Sequence, residues 1–147
     1  MLFGGVEARD LHQVRALLHA CVLPASDLDA DALRYFIGAW SEQRLVGVVG
    51  LQPLNHVALL RSLAVAPEHR GEGIGSRLCD EAESLARAGS ITDLYLLTAD
   101  ASGYFAARGF HACARSAVPK PVQQTAQFRE LCPDSAVVMH KHLPPLV

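Results

Sequence analysis

The sequence lacks any excess of positive charge and any long apolar run. Lys and Arg number 13 against 15 Asp and Glu, for a formal charge of -2, so no basic stripe is available for duplex nucleic acid. The longest apolar run, residues 45–51, is interrupted by two glycines and is far shorter than the roughly 20 residues that span a bilayer. Residues 1–9 also lack the charged start and apolar stretch of a signal peptide. We therefore expect a soluble, cytoplasmic protein with no nucleic-acid or membrane partner.

Cysteine and metal-ligand motifs are also missing. The cysteines at positions 21, 79, 113 and 132 form no CxxC pair, which argues against a zinc site or a redox motif. In a reducing compartment they stay thiols, and we expect them to be buried packing residues. His140 and His142 share one face of a predicted strand, but no acidic or cysteine partner is near them in the sequence. We expect a solvated strand end there and no metal site.

What the chain does contain fits one α/β domain. It has 147 residues, half of them hydrophobic, and no repeat or linker, so we expect a single domain over 1–147. Residues 35–40 and 45–51 read as a β-hairpin. Val57–Val65 and Asp93–Thr98 read as buried strands, with an amphipathic helix over 73–88 between them. Residues 110–115 read as a further strand and 121–131 as a helix. The apolar face of the 73–88 helix is predicted to contain Ile74, Leu78, Ala82, Leu85 and Ala86. Hairpins followed by crossovers predict a mixed α/β sheet.

A glycine-rich segment joins the first buried strand to that helix. It reads Arg70-Gly-Glu-Gly-Ile-Gly-Ser76. A helix start offers unpaired N–H groups and the positive end of the helix dipole, which together bind anions. Glycine lets a phosphate approach the backbone because it has no Cβ, and Arg70 can add a bidentate contact. The segment therefore predicts a phosphate-binding loop.

Three nucleotide motifs compete for this loop. A P-loop needs Gly-Lys-Ser/Thr, and the segment has no lysine. A dinucleotide-binding GxGxxG needs a third glycine where Ser76 stands, and it follows its strand more closely. The acetyl-CoA loop of GNAT acetyltransferases, Gln/Arg-x-x-Gly-x-Gly/Ala, is matched at every specified position by Arg70, Gly73 and Gly75. On the motif alone, a connector that binds nothing is the alternative.

Two landmarks together resemble the GNAT superfamily. The segment from Arg61 to Leu78 is similar to the family's core motif well beyond its glycines. Further along, Tyr104-Phe-Ala-Ala-Arg-Gly-Phe110 resembles the aromatic-x-x-x-Gly-Phe landmark, in the family's order and after an intervening strand. The resemblance covers most of the chain. It implies a GNAT fold, with a mixed central sheet whose middle strands splay and are flanked by helices, and acetyl-CoA as co-substrate.

The resemblance also implies which residues hold acetyl-CoA. The pantetheine arm would lie between the strands ending at Val65 and Thr98. It would pair with the backbone of Leu63, Ala64 and Val65. The pyrophosphate would lie on Arg70, Gly71, Gly73, Ile74, Gly75 and Ser76. The opposite wall would be formed by Thr98, Ser102, Phe105 and Arg108.

Three segments carry a narrower resemblance. Leu59-Leu-Arg-Ser-Leu-Ala-Val65, Leu96-Leu-Thr98 and Thr125-Ala-Gln-Phe-Arg-Glu-Leu-Cys-Pro-Asp-Ser-Ala136 are similar to small N-acetyltransferases associated with arsenic-resistance operons. They are more distantly similar to the acetyltransferase domain of N-acetylglutamate synthase. Both resemblances imply a small amino-acid-like amine as acceptor, and the first also implies a link to arsenic or toxic amino-acid resistance. The family resemblance also implies a homodimer as the oligomeric state to test.

Arg61 and Ser62 are the candidate acceptor-binding residues. They are the only polar side chains in Val57–Val65, and as neighbours they face opposite sides of the sheet. A buried guanidinium has to be paired. Arg61 either forms a salt bridge to a core-side carboxylate or takes the carboxylate of an amino-acid-like substrate, a fork-to-fork match. Arg129 is the next candidate.

The sequence contains two candidate catalytic residues, Tyr104 and His56. Many GNAT enzymes use a tyrosine four residues before the Gly of Gly-Phe as general acid, and that position is Phe105 here. Tyr104 is one residue earlier, about 100° around the helix, so we expect it to pack rather than to donate a proton. His56 is a candidate proton relay, with a solvated histidine as the alternative. A non-catalytic acetyl-CoA-binding or regulatory module and a protein or peptide N-acetyltransferase therefore stay open as functions.

Overall fold

The computed structural model describes residues 1–145, which form one mixed sheet with flanking helices. The elements in chain order are β1 Leu2–Gly5, α1 Leu11–Ala20, β2 Phe36–Ser41, β3 Arg44–Leu54, β4 Val57–Val65, α2 Ile74–Ala88, β5 Asp93–Thr98, α3 Ser102–Ala107, β6 His111–Ala112, α4 Lys120–Gln123 and β7 Val137–His142. The strand order is β1-β2-β3-β4-β5-β7-β6. β4 and β5 are parallel, whereas β5 and β7 are antiparallel. The predicted mixed α/β sheet is confirmed. Within residues 1–145, no helix is both long and apolar enough to cross a bilayer.

The contacts within the chain define two compact units. The first contains residues 1–52 and 60–85, and the second contains residues 53–59 and those from 86 onward. The boundary passes through β4, so the two ends of this strand belong to different units. The expectation of one domain over 1–147 stays a prediction.

The first unit is built on the β2–β3 hairpin and α2. The hairpin turns through Glu42 and Gln43, whose φ values of 50° and 69° are those that two-residue hairpin loops require. Ile74 and Leu78 of α2 are buried, at 4% and 0% exposure, as their helical spacing predicts. A Cβ on Gly47 of β3 would lie 2.9 Å from Ile74 Cγ2. The glycine therefore lets the first turn of α2 lie directly on the sheet.

The second unit differs from its sequence-based prediction in the tail. β5 and β7 pair along six residues, as expected for a buried strand. The predicted strand over 110–115 is reduced to β6, which has two residues. The predicted helix over 121–131 is split into α4 and a π-helical turn, Gln127–Leu131. The break coincides with Thr125, whose Oγ1 donates to the Val122 carbonyl at 2.8 Å and accepts a hydrogen bond from the Phe128 N–H at 3.3 Å, side-chain bonds of the kind that compete with helical backbone bonding.

Candidate functional site

β4 has an irregular backbone in the half that belongs to the first unit. Ser62 has φ 60°, a left-handed conformation in the interior of a strand. For a residue with a side chain this conformation costs about 1–2 kcal/mol. Leu63 and Val65, whose backbone is expected to meet the pantetheine arm, are half-buried, and Ala64 is buried. In the second unit, β4 pairs with β5 at Val57–Leu59. The splay implied by the family resemblance stays a prediction.

Arg61 is held by an internal carboxylate. Nη2 donates to Asp27 Oδ1 at 2.8 Å, and Nη1 contacts Asp27 Oδ2. The Arg61 side chain is 4% exposed, and its guanidinium carbon lies 6.0 Å from the centre of the Phe36 ring. The salt bridge considered from the sequence is therefore present. Binding of a substrate carboxylate by Arg61 stays a prediction. Asp27 would have to move away before a substrate carboxylate could bind the same two guanidinium nitrogens.

Arg70 lies over the end of β4. Its Nε donates to the Val65 carbonyl at 3.2 Å, and its Nη2 is 3.7 Å from Cys21 Sγ. The Cys21 thiol also points to the Val65 carbonyl, at 3.7 Å. The end of α1 and the start of the glycine loop therefore meet at one backbone carbonyl. Arg70 itself is exposed, so its charge is accessible to a phosphate.

The glycine loop has open backbone where the sequence predicts phosphate binding. Gly71 and Gly73 both have φ 82°, and a Cβ on either would meet no atom within 4 Å. Ile74 begins α2 with its side chain buried, so only its backbone can face a ligand. Ser76 is exposed and Gly75 is half-buried. Glu72 Oε1 lies 3.0 Å from His69 Nδ1, so this carboxylate has a partner beside the loop.

In the second unit, α3 has a packing residue at the one position where the family resemblance implies a catalytic tyrosine. Phe105 is 8% exposed and packs edge to face on Phe110, with ring centres 5.7 Å apart. Tyr104 is 41% exposed and contacts the edge of Phe105. The prediction that Tyr104 lies beside the family position is consistent with this geometry. No described residue has been shown to act as general acid, and the role of Tyr104 stays a prediction.

The other candidate residues of the second unit are also placed. Thr98 is buried, and its Oγ1 accepts a hydrogen bond from the Ala101 N–H at 2.9 Å, which fixes the start of α3. Ser102 is exposed and Arg108 is half-buried. Their contacts with acetyl-CoA stay predictions. His56 and Arg129 are both exposed, the first in the turn before β4 and the second in the π-helical turn.

Sequence reasoning missed the partner of the two C-terminal histidines. Asp93 Oδ1 lies 2.7 Å from His140 Nε2 and 3.3 Å from His142 Nδ1. Burial alone would raise the pKa of Asp93, but hydrogen bonds from His140, Thr92 and His142 outweigh burial and lower it. The partner lies 47 positions upstream, where no local pattern could reveal it. Within residues 1–145, no group of three or more His, Cys, Asp or Glu side chains is arranged to hold a metal ion.

Known proteins share this architecture. The family model described as Acetyltransferase (GNAT) family matches residues 7–114. N-acetylglutamate synthase from Neisseria gonorrhoeae, solved with coenzyme A and N-acetyl-glutamate, has a TM-score of 0.85 at 18% identity, over 97% of this chain and 35% of that one. This chain therefore spans about a third of that enzyme's length.

Two further structures match along their whole length. A Mycobacterium tuberculosis protein solved in complex with CoA has a TM-score of 0.81 at 18% identity, over 98% of this chain and 100% of that one. A GNAT-family acetyltransferase from Staphylococcus aureus Mu50 has a TM-score of 0.77 at 20% identity, over 97% and 99%. The GNAT fold expected from the sequence is thus confirmed. Since the family model covers well over half of the sequence, the chain belongs to the acetyltransferase (GNAT) family.

Proposed function

We propose that this protein transfers the acetyl group of acetyl-CoA to the amine of a small amino-acid-like acceptor. The observation that carries the proposal is the loop from Arg70 to Ser76. It holds two left-handed glycines with open space in front of them, at the start of a 15-residue helix. This is the geometry that an anion needs in order to reach backbone N–H groups. Membership of the GNAT family makes the pyrophosphate of acetyl-CoA the expected anion.

The charges around the loop support the same ligand. Arg70 supplies an exposed guanidinium that is already oriented by the Val65 carbonyl. A guanidinium can bind two phosphate oxygens at once, which a single ammonium group does not reproduce. The negative charge of Glu72 is compensated by His69 only while that histidine is protonated. We expect CoA binding to weaken with salt, as for any exposed ionic contact.

The reaction needs little chemistry from the protein itself. The neutral amine attacks the thioester carbonyl, the C–N bond forms, the C–S bond breaks, and the amine proton ends on the thiolate or on solvent. A backbone N–H near Val65 is the proposed donor to the oxyanion, a contribution that protein amides commonly make. Phe105 has no hydroxyl to protonate the thiolate. Holding amine and thioester in contact can supply several kcal/mol by itself.

The acceptor proposal depends on resemblance and on charge. Among the structural neighbours, the Neisseria gonorrhoeae enzyme was solved with N-acetyl-glutamate, an acetylated amino acid. Of the three acceptor-binding residues expected from the sequence, Arg61 is paired with Asp27 and hydrogen-bonded to Ser62, whereas Arg129 is exposed. Arg129 is therefore the proposed partner of the acceptor carboxylate, and Arg61 and Ser62 could take that role only if Asp27 released the guanidinium. The link to arsenic or toxic amino-acid resistance, the cytoplasmic location and a homodimeric state are parts of the same proposal and depend on the family resemblance.

An acceptor panel tests this function against its alternatives. The purified protein would be incubated with acetyl-CoA and each free amino acid, with release of the CoA thiol measured and products identified by mass spectrometry. The proposal expects an acetylated amino acid with a free thiol released for each acetyl group. CoA binding without turnover would favour a regulatory module. Turnover only with peptides would favour a protein or peptide N-acetyltransferase.

A further inference from the structure

Ser62 adopts a conformation that its own residue type does not favour. At φ 60° in the middle of β4, it bears the steric cost that only glycine avoids. Such residues persist where their surroundings over-determine them. The contacts of Ser62 should therefore include a group that is itself rigidly held.

Arg61 is that group. Its Nε donates to Ser62 Oγ at 2.9 Å, and its other two nitrogens contact the two carboxylate oxygens of Asp27. All three guanidinium nitrogens are thus engaged within a side chain that is 4% exposed. A buried cation with one paired anion is sensitive to loss of that anion, because the remaining charge has no compensation.

Asp27 is fixed in turn by its neighbours in the chain. The adjacent Leu28 is 2% exposed, and its carbonyl accepts a hydrogen bond from Arg15 of α1. The Asp27 side chain is 20% exposed, so it lies at the edge of the buried region. The segment between α1 and β2 therefore places the Asp27 carboxylate beside the guanidinium of Arg61, which lies 34 positions later in the chain.

We infer that Asp27 is a positioning residue for the acetyl-CoA site. Asp27 orients Arg61, Arg61 holds the Ser62 hydroxyl, and Ser62 in its left-handed conformation sets the path of the backbone at Leu63 to Val65. This inference rests on the proposed function, in which that backbone pairs with the pantetheine arm. Asp27 contacts no reacting atom and acts only through Arg61 and Ser62.

The first test replaces the carboxylate and keeps its size. Asp27→Asn removes the negative charge and one of the two acceptor oxygens, so one terminal nitrogen of the Arg61 guanidinium loses its hydrogen-bond acceptor. We expect the Kd for CoA, measured by calorimetry, to rise about tenfold, equivalent to 1.4 kcal/mol. The matched control is Asp31→Asn, the same change at an exposed carboxylate of the same segment, which should leave the Kd unchanged. An unchanged Kd in Asp27→Asn would overturn the inference.

The second test separates positioning from general stability. Ser62→Gly in the Asp27→Asn background should restore most of the CoA affinity, because glycine adopts positive φ at no steric cost. Ser62→Ala in the same background keeps that cost and should restore nothing. Both double variants are compared as folded protein, so that a difference in affinity does not reflect a difference in the folded fraction. Equal affinities would then contradict the inference, since glycine relieves the strain at position 62 and alanine does not.

Two further measurements keep the test decisive. If Asp27→Asn does not fold, Asp27→Leu with Arg61→Met removes both buried charges together, a change that protein interiors tolerate, and Ser62→Gly should again restore CoA affinity in that double variant.

The Cα and Cβ chemical shifts of Ser62 report its φ in the CoA-free protein. They should move towards extended values in Asp27→Asn. If wild-type protein binds no CoA, the proposed function fails, whereas unchanged Ser62 shifts would refute the inference alone.

Discussion

The two sequence landmarks of this chain differ in what their residues face. In the loop from Arg70 to Ser76, Gly71 and Gly73 hold left-handed backbone with open space in front of it. In the second landmark, Phe105 and Phe110 are buried and pack edge to face. The first keeps backbone accessible to a ligand, and the second fixes a short helix by aromatic packing. Equally recognisable motifs can therefore leave the backbone open in one place and form packed aromatic contacts in another.

The largest expected effect is on the packing landmark. Phe105→Ala should lower the free energy of unfolding by about 3–5 kcal/mol, because it leaves a cavity beside Phe110. Urea denaturation of both proteins measures the difference. Tyr104→Ala, at a neighbouring and exposed ring, is the control and should cost about 1 kcal/mol or less. A similar small loss for Phe105→Ala would mean that the landmark is not a packing unit.

The binding landmark should respond in affinity rather than in stability. Gly73→Val introduces a side chain at φ 82° and places it where a phosphate would approach, so we expect CoA affinity to fall at least about a hundredfold, or 2.7 kcal/mol. Gly103→Val is the matched control, since a Cβ there also meets nothing within 4 Å but the residue lies inside α3. Calorimetry on the folded proteins decides. Unchanged affinity in Gly73→Val would exclude this loop as the CoA site.

The landmarks also mark the part of the fold that could be predicted from the sequence. β4 and β5 run over the predicted residues, Val57–Val65 and Asp93–Thr98, because short, mostly apolar segments bounded by turn residues are a strong local signal for strands. The predicted start of α2 lies within one residue of Ile74, since glycines before an amphipathic run define a helix start. The family resemblance added the fold, which the family match and the solved structures confirm.

The missed features share a different cause. A salt bridge of Arg61 is one of the two interpretations of the sequence, but its partner, Asp27, lies 34 positions away. Asp93 and His140 are 47 positions apart, and only the folded chain brings either pair together. The conformation of Ser62 is equally hidden, because serine carries no signal for positive φ. Leu85, predicted on the buried face of α2, is 37% exposed, since the helix is covered on a narrower stripe than its apolar residues suggest. Local pattern predicts elements, whereas tertiary contacts decide the details of the site.

A smaller effect is expected at the one hydroxyl of the second landmark. Tyr104 is 41% exposed, its ring packs against Phe105, and it lies one residue before the position where the family resemblance implies a general acid. Tyr104→Phe should lower kcat by less than about tenfold, or 1.4 kcal/mol, with KM for acetyl-CoA unchanged. Steady-state kinetics with an accepted amine provides the measurement. A loss of a hundredfold would show that the second landmark contributes chemistry as well as packing.

The smallest effect concerns a contact outside both landmarks, and it tests whether the second unit is stabilised by packing alone. Hydrogen bonds from His140, Thr92 and His142 lower the pKa of Asp93 despite its partial burial. A carboxyl whose pKa is lower in the folded protein stabilises it at pH values above its unfolded pKa, about 3.9. That stabilisation is lost as the pH falls below this value and through the folded pKa.

The comparison of wild type with Asp93→Asn isolates this contribution, because the other carboxyl groups titrate in both proteins. We expect the difference in free energy of unfolding to be constant between about pH 5 and pH 6, where Asp93 is ionised in both folded and unfolded chains. Below about pH 3.9 the difference should shrink, since protonation removes the charge-assisted hydrogen bonds to the two histidines. Urea denaturation over this pH range measures it. A difference that stays constant on acidification would show that the charge of Asp93 does not stabilise the folded protein. The second unit would then be stabilised by its aromatic and aliphatic packing without a contribution from the contacts of Asp93 with the two histidines.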